Sequence, residues 1–381
     1  MLAALYSSGE VILLEKTDSL GKKFALSGNG RGNITNLTPI QGFSEYYHNG
    51  KFLKKALFNF SNDDLIKFFN KYGIDFKAEE KKVFPVSDRA KDLVKILEML
   101  LNKNGVQVIY NQKVTDILVK ENKVIGIKTG DRELHAEKVI IATGGSSFPQ
   151  TGSSGDGFFL LKKLGHHIIK PRPALVPFKL SEKVEELSGI SVPDVSLTLI
   201  SSGKKLKTKR GPLLFTSFGI SGPAVLNLSC YLPETLENIK VKVDFFPEYT
   251  VNHLQSILSL QEAKTIKNAL PEKLSQKLRE WLINFYGYDK DLKVKALALK
   301  TLIRIAEALK GTVFNLNGTL PLEVAYVTAG GVDVKEINPA TMESKIIKGL
   351  YLAGEVIDCH GETGGFNLQM AFSTGVLAGK S

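Results

Sequence analysis

At 381 residues, with 43% hydrophobic and 23% charged residues, the chain has the balance of a soluble protein of two or three domains rather than of a disordered segment. No apolar run approaches the roughly 18–20 residues that a membrane-spanning helix needs. The two cysteines, Cys230 and Cys359, fall in no CxxC pair or metal-ligand spacing, so a disulfide framework and a zinc site are excluded and a reducing, cytoplasmic setting is expected. A net charge of +11 leaves nucleic acid, an anionic membrane surface or an anionic ligand open as partners.

The chain opens on Met1-Leu2-Ala3-Ala4-Leu5, which lacks the positive region of a signal peptide. The run Glu10-Val11-Ile12-Leu13-Leu14-Glu15 reads as a buried parallel strand ending in an acid. Residues 27–36 are dominated by glycine and polar residues and read as a loop with special backbone needs. Helical apolar spacing spans residues 62–72 and 87–103, and Ser87 or Asp88 is expected to cap the second helix. Strand-like runs follow at 106–110, 114–119, 124–128 and 138–142. From about residue 171 prolines, alternating apolar residues and turn glycines suggest a β-rich region; residues 251–312, rich in Leu, Lys, Ala and Glu, read as helices. Glycine-rich strand-and-turn chemistry returns at 320–381. The predicted fold class is α/β, with a Rossmann-like nucleotide-binding domain split around an inserted middle region. Residues 1–170 and 320–381 form that discontinuous domain, residues 171–250 a β-rich domain, residues 251–312 an inserted helical subdomain and residues 313–319 a return segment.

Several blocks carry chemistry. Glu15 closes a strand, where an acid in a βαβ unit holds ribose hydroxyls, although a strand-ending glutamate is also an ordinary solvated edge. Gly28-Asn29-Gly30-Arg31-Gly32-Asn33 offers backbone amides and a guanidinium suited to a pyrophosphate; a plain turn is the alternative. Ala142-Thr143-Gly144-Gly145 follows a strand, and Gly152, Gly155 and Asp156 lie in a turn opening a helix that runs to about residue 164. The richest block is the last: Gly354 and Glu355 end a strand, Asp358 follows, and Gly364-Gly365-Phe366-Asn367 opens a helix over 367–376. The helix amides can face one end of a flavin, with Glu355 accepting from the ribityl chain.

These blocks resemble the BaiN/YhiN-like flavoproteins, NAD(P)/FAD-dependent oxidoreductases of which some members are aminoacetone oxidase-like. The resemblance rests on Leu14-Glu15-Lys16, Gly21-Lys22-Lys23, residues 27–36, Phe84-Pro85, Ala142-Thr143-Gly144-Gly145, residues 152–157, Phe218-Gly219-Ile220-Ser221-Gly222-Pro223, Thr328-Ala329-Gly330-Gly331-Val332 and residues 352–369, in one order along nearly the whole chain. It implies a Rossmann-like FAD domain of the two-dinucleotide-binding type, a bound FAD, two-electron redox chemistry, and cofactor-binding roles that add Lys16, Lys22, Lys23, Ser27, Thr35, Asn36 and Val114 to the residues above. Two departures stand out. The family begins with a strand and a Gly-x-Gly-x-x-Gly turn roughly 20 residues before the acid, which would lie upstream of Met1, so the chain is expected to be an N-terminally short form. Gly32 stands where the family's loop usually reads Arg-Cys-Asn.

The remaining features have plain readings. Cys359 and His360 neighbour the proposed flavin loop but lack a partner cysteine; His166 and His167 lack further ligands; Trp281, Phe285 and Phe314 read as core. No second strand–GxGxxG–helix unit is visible, so NAD(P)H is expected only as a transient electron donor. No residue stands out as a catalytic acid or base, and the substrate is expected to be a small molecule. Lys204, Lys205, Lys207, Lys209 and Arg210 form either a solvated hairpin or the footprint of a nucleic acid, which keeps open an RNA-binding or tRNA-modifying protein on an FAD scaffold. A cofactor-free relative is the third reading.

Overall fold

Two compact units emerge from the chain in a computed structural model that describes residues 1–130 and 132–381: Met1–Ala174 with Pro321–Ser381, and Leu175–Leu320. In the first unit the apolar run before Glu15 forms the strand Ile12–Leu14, paired in parallel with Gln107–Ile109. A second parallel pair joins Val139–Ile141 to Leu350–Leu352. The first strand is half-buried rather than enclosed. Leu13 and Leu14 each pack against an apolar cluster on opposite faces, whereas Ile12, near the strand start, stays 39% exposed.

Helix Ala90–Lys103 buries Leu93, Val94, Leu97, Leu100 and Leu101, the stripe expected of a period near 3.6. Its cap differs from expectation. Arg89 occupies the N-cap without a side-chain bond, Asp88 sits at φ 52°, and the Asp88 carboxylate is drawn away by Arg31 and Lys77. Helix Asn62–Asn70 does start on a capping box, with Ser61 and Asp64 each satisfying the other's backbone amide. The final helix, Phe366–Lys380, is buried over most of its length and carries polar groups inside: Gln369 bonds Thr35 Oγ1, the Phe60 carbonyl and Ser373, so its amide is fully used. Helix Leu2–Tyr6 lies against it, with Ala3 meeting Gly375 and Gly379. Strand Ile168–Ala174 pairs antiparallel with Val327–Val332, so the chain leaves and re-enters this unit on neighbouring strands.

The second unit is a closed antiparallel barrel of six strands. Their order is Phe178–Leu180, Gly219–Ser221, Lys204–Thr216, Ser191–Ser201, Ile239–Asp244 and Thr312–Thr319, the last pairing back to the first. Period-2 alternation builds its interior, as Val195, Leu197 and Leu199 face Val241 and Val243 while the intervening residues point out. Helices Val251–Ser259, Ile266–Ala269, Gln276–Phe285 and Leu299–Leu309 are inserted before the closing strand. Residues 313–319, read from sequence as a return segment, are that closing strand, because Phe314 and Leu316 alternate inward with it. Trp281 and Phe314 are core residues, while Phe285 stacks on Trp281 and remains 40% exposed.

Phe314 is fully buried between Trp281, at a ring separation of 6.0 Å, and Phe215. Phe314→Ala is expected to destabilise this unit by about 3–5 kcal/mol. Trp281 is the single tryptophan, so urea unfolding followed by its emission reads the change directly.

Candidate cofactor site

The glycine loops of the first unit are brought together at the C-terminal ends of the parallel strands, where open α/β sheets bind ligands. Gly144 approaches Ser153, Gly152 approaches Thr17 and Lys16, Gly155 approaches Ser146, and Gly157 approaches Thr143. Ala142 and Thr143, just past strand Val139–Ile141, are exposed. Val114 is half-buried beside the strand end, where the Gln112 amide donates to the Glu15 carbonyl. Glu15 itself accepts from the Thr17 amide at 2.8 Å through Oε1, and Oε2 makes no hydrogen bond among the described residues. Two buried hydroxyls, Ser27 Oγ and Ser153 Oγ, also lack a partner, an expensive condition for a polar atom inside a protein.

Charges are arranged in pairs around these loops. Lys16 Nζ lies 2.5 Å from Asp156 Oδ2 and 2.5 Å from Ser154 Oγ, and Lys113 reaches the other Asp156 oxygen at 3.0 Å. Burial alone raises the Asp156 carboxyl, but the hydrogen bonds from Lys16, Lys113 and Ser154 outweigh it and bring its pKa down to about 2. Lys22 is paired with Asp18 at 2.6 Å. Lys23 spans to Glu355 Oε2 and to Ser147 Oγ, both at 2.7 Å. The Glu355 carboxylate also accepts from the Gly145 amide at 3.2 Å and, on Oε1, from the Thr328 amide at 2.7 Å. Thr328 Oγ1 in turn accepts from the Ser146 and Ser147 amides. Gly145 has to be glycine here, since a Cβ would overlap Thr328 Oγ1 and come within 3.0 Å of the Glu355 carboxyl carbon.

Several residues singled out in the sequence have side chains engaged within the protein. The Arg31 guanidinium is held by Glu79 and Asp88 and lies over the Phe84 ring, so the cation reserved for a pyrophosphate is already paired, and those bonds raise its pKa. Asn33 donates to the Thr35 and Val83 carbonyls, Thr35 to Gln369, and Asn36 to the Gly364 carbonyl. Gly28 packs on Asn33 and Phe84, whereas Gly30 has open space around it. At the last helix, Gly365 takes φ 93° against the Thr35 backbone, a contact and a conformation that only glycine meets without strain. Phe366 is buried and stacked on Tyr46 at 4.3 Å, and Asn367 closes the preceding turn through both polar atoms on Gly361. Gly354 is anchored by its amide to Thr374 Oγ1, and Asp358 accepts from Asn49.

Thr328 and Ser147, central to the Glu355 cluster, were given no role on sequence grounds. Thr328 stood in the Thr-Ala-Gly-Gly-Val block that carries part of the resemblance, but a threonine in a strand gives no sign of the loop it will meet. Cys359 is buried, and burial followed by the neighbouring Asp358 raises its thiol pKa well above the ordinary value, which supports packing over redox work. His166 is a structural link, 2.9 Å from Glu336 and 3.0 Å from Ser344, and no group of three metal-ligating residues occurs among the described residues.

Comparison with known proteins agrees with this architecture. The chain matches the HI0933-like protein Rossmann domain over residues 1–381. It is 30% identical to the 3-dehydro-bile acid delta(4,6)-reductase of Clostridium scindens, over all of this chain and 95% of that one. It is 32% identical to the ribosomal RNA dihydrouridine synthase of Haemophilus influenzae, over 96% of this chain and 90% of that one. Among solved structures, the open conformation of a flavocytochrome c3 fumarate reductase superposes with a TM-score of 0.53 at 15% identity, covering this whole chain and 75% of that one, a likeness of fold. The chain belongs to the HI0933-like Rossmann family, flavoprotein oxidoreductases of the BaiN/YhiN type that its glycine blocks resemble.

Proposed function

We propose that the protein is an FAD-dependent reductase that saturates a carbon–carbon double bond conjugated to a carbonyl. The observation that carries the cofactor half is the uncommitted Glu15 oxygen just past strand Ile12–Leu14, with the turn bearing the partnerless Ser153 hydroxyl beside it, together with the partnerless Ser27 hydroxyl. Those atoms fit the hydroxyl- and phosphate-rich part of a dinucleotide. In this reading Glu15 holds the adenosine ribose near Val114, Ala142 and Thr143. Lys16, Lys22, Lys23 and the loop with Ser27, Gly28, Gly30 and Arg31 lie toward the diphosphate, and Gly144, Gly145, Gly152, Gly155 and Asp156 close over the cofactor chain. Gly354 and Glu355 border the ribityl, and Asp358, Gly364, Gly365, Phe366 and Asn367 the flavin end. Asn33, Thr35 and Asn36 act as positioning residues beneath it, since their side chains are spent on internal bonds. Bound FAD supplies a two-electron carrier between a reductant and the substrate.

The substrate half rests on the two relatives. Their names, a bile acid delta(4,6)-reductase and a dihydrouridine synthase, both denote saturation of a ring double bond beside a carbonyl. Such a bond accepts a hydride at the carbon remote from the carbonyl and a proton at the adjacent one, so the balance needs one hydride donor, NAD(P)H in this proposal, and one proton from solvent or protein. A small conjugated ketone is the first reading of the substrate. A uracil ring within RNA is the second, favoured by lysines of the barrel that have no acidic partner.

The test is spectroscopic. The purified protein, loaded with FAD, is expected to show flavin absorption bands that bleach anaerobically with NADH or NADPH and return on adding a conjugated enone. Failure to bind FAD turns the assignment to a cofactor-free relative; failure of both nucleotides to bleach it sinks the NAD(P)H half. Glu15→Gln is expected to weaken FAD binding roughly 10- to 100-fold, the weight of a charged hydrogen bond of about 1.5–3 kcal/mol. Ser153→Ala is expected to weaken FAD binding several-fold while leaving the FAD-free protein as stable or more so, because it removes a hydroxyl that has no partner there.

Asp156 gives a pH-dependent prediction. Its folded pKa of about 2 lies below the unfolded value of about 3.9, so its contribution is present above pH ~4 and is lost as pH falls toward 2. Asp156→Asn is expected to cost about 1–2 kcal/mol in urea denaturation at neutral pH. The gap between variant and parent should close between pH ~4 and ~2; a constant gap would show that the pair with Lys16 is not its source.

A further inference from the structure

We infer that the barrel surface around the hairpin of Ser191–Ser201 and Lys204–Thr216 binds the sugar–phosphate backbone of single-stranded RNA. This rests on the second substrate reading, a uracil ring within RNA, and supplies the surface that such a substrate needs.

Five cations of the second unit are paired with acids. Lys267 is paired with Asp291, Lys273 with Glu248, Lys290 with Glu280, Lys310 with Asp244, and Arg210 with Asp194 through both carboxylate oxygens. Lys204, Lys205, Lys207, Lys240 and Lys242 make no ion pair among the described residues, and the strand register gathers them. Lys205 and Lys240 both pair with Ile200, one on either side, and Lys242 pairs with the next outward residue, Thr198. With strands about 4.8 Å apart and alternate residues about 6.8 Å apart, the backbone positions of these three lysines lie on one face within about 12 Å of each other.

A bulge between Leu199 and Ile200 then alters the facing of the hairpin. Lys207 pairs with Leu199 and Lys205 with Ile200, so Leu206 is left over and 41% exposed. On the opposite face Lys207 and Lys209 hold their ammoniums 4.7 Å and 5.7 Å from the Tyr231 ring. The hairpin thus carries cations on both faces, an aromatic ring on one, apolar Ile200 on the other and the exposed Leu206 at the bulge. Glu237, beside the tip where the Ser202 amide meets the Asn238 carbonyl, and Glu234 are the acids of the neighbouring loop, too few to balance the lysines.

Charge of one sign with interleaved aromatic and aliphatic groups matches a polyanion whose bases also offer flat surfaces. A membrane surface would need a wider apolar face than Ile200 and Leu206 provide.

The test is fluorescence anisotropy of a labelled, uridine-containing single-stranded RNA with the FAD-loaded full chain, from about 50 to about 200 mM salt. Binding is expected, with a log–log salt slope of about −3 if four to five phosphates are neutralised. K204E/K205E/K240E is expected to weaken it more than tenfold and to flatten the slope by about 2. K51E/K54E/K55E, an equal charge change on the exposed side of helix Gly50–Asn59, should leave the slope within experimental error of the parent. Trp281 emission and the flavin spectrum of each variant establish folding and cofactor loading, and K204Q/K205Q/K240Q replaces the reversal if that variant misfolds. Absence of RNA binding at low salt, equal weakening by both triple variants, or tighter lysine-dependent binding to phosphatidylserine vesicles than to RNA would each overturn the proposal. Normal flavin bleaching in those same samples would leave the reductase reading standing.

Discussion

The carboxylate of Glu355 is the interaction on which the candidate site depends. It is one side chain, about one-seventh exposed, yet it receives the Lys23 ammonium and the amides of Gly145 and Thr328. Those donors come from the short helix after the first strand, the loop after Val139–Ile141, and the strand Val327–Val332, which are far apart in sequence. A largely buried carboxylate is stable only with such a set of donors, and each donor is in turn immobilised by it. The sequence positioned Glu355 as an acceptor for a ribityl chain. In the structure both of its oxygens already have protein partners, so its first task is to hold the walls together, and any bond to a ligand is additional.

Glycine serves the same end by a different route. At Gly145 and Gly365 the space a Cβ would need is occupied by Thr328 and by the Thr35 backbone. These glycines are required by contact within the protein before any cofactor is considered. The distinction matters because a glycine-rich loop read from sequence looks like room left for a ligand. Here the room is elsewhere, at the open space around Gly30, the exposed Ala142 and Thr143, and the two serine hydroxyls that the protein leaves without partners. An unsatisfied buried hydroxyl is the more informative sign, since close packing explains a glycine but not an orphaned donor.

What was legible in the sequence were the features set by local rules. The strand before Glu15, the amphipathic helices, the glycine blocks and the β-rich region with inserted helices all follow from periodicity and turn chemistry, and the ordered blocks carried the family. What was hidden depended on partners distant in sequence. Arg31 looked like a free guanidinium because Glu79 and Asp88 lie some fifty residues on. The same diversion of Asp88 removed the cap expected for Ala90–Lys103. Residues 313–319 looked like a connection because a closing strand is defined by its two neighbours, Ile239–Asp244 and Phe178–Leu180, and not by its own composition. The lysine-rich hairpin was recognisable as a hairpin, but whether its charges were spent could be read only from the register.

That last point separates the two substrate readings. A small conjugated ketone is recognised by shape and apolar contact, with a few polar groups for orientation, and places no demand on surface lysines. A chain selected only for such a substrate gains nothing from lysines gathered on one sheet face without acids, since like charges repel and surface pairs would relieve them at little cost. At Lys267, Lys273, Lys290 and Lys310 of the same unit such pairs are made. What sets the hairpin and the strand beside it apart is the register, which places Lys205 and Lys240 astride Ile200 and Lys242 on the same face. Repulsion between lysines that the register holds on one face is accounted for by a polyanion that takes the acids' place.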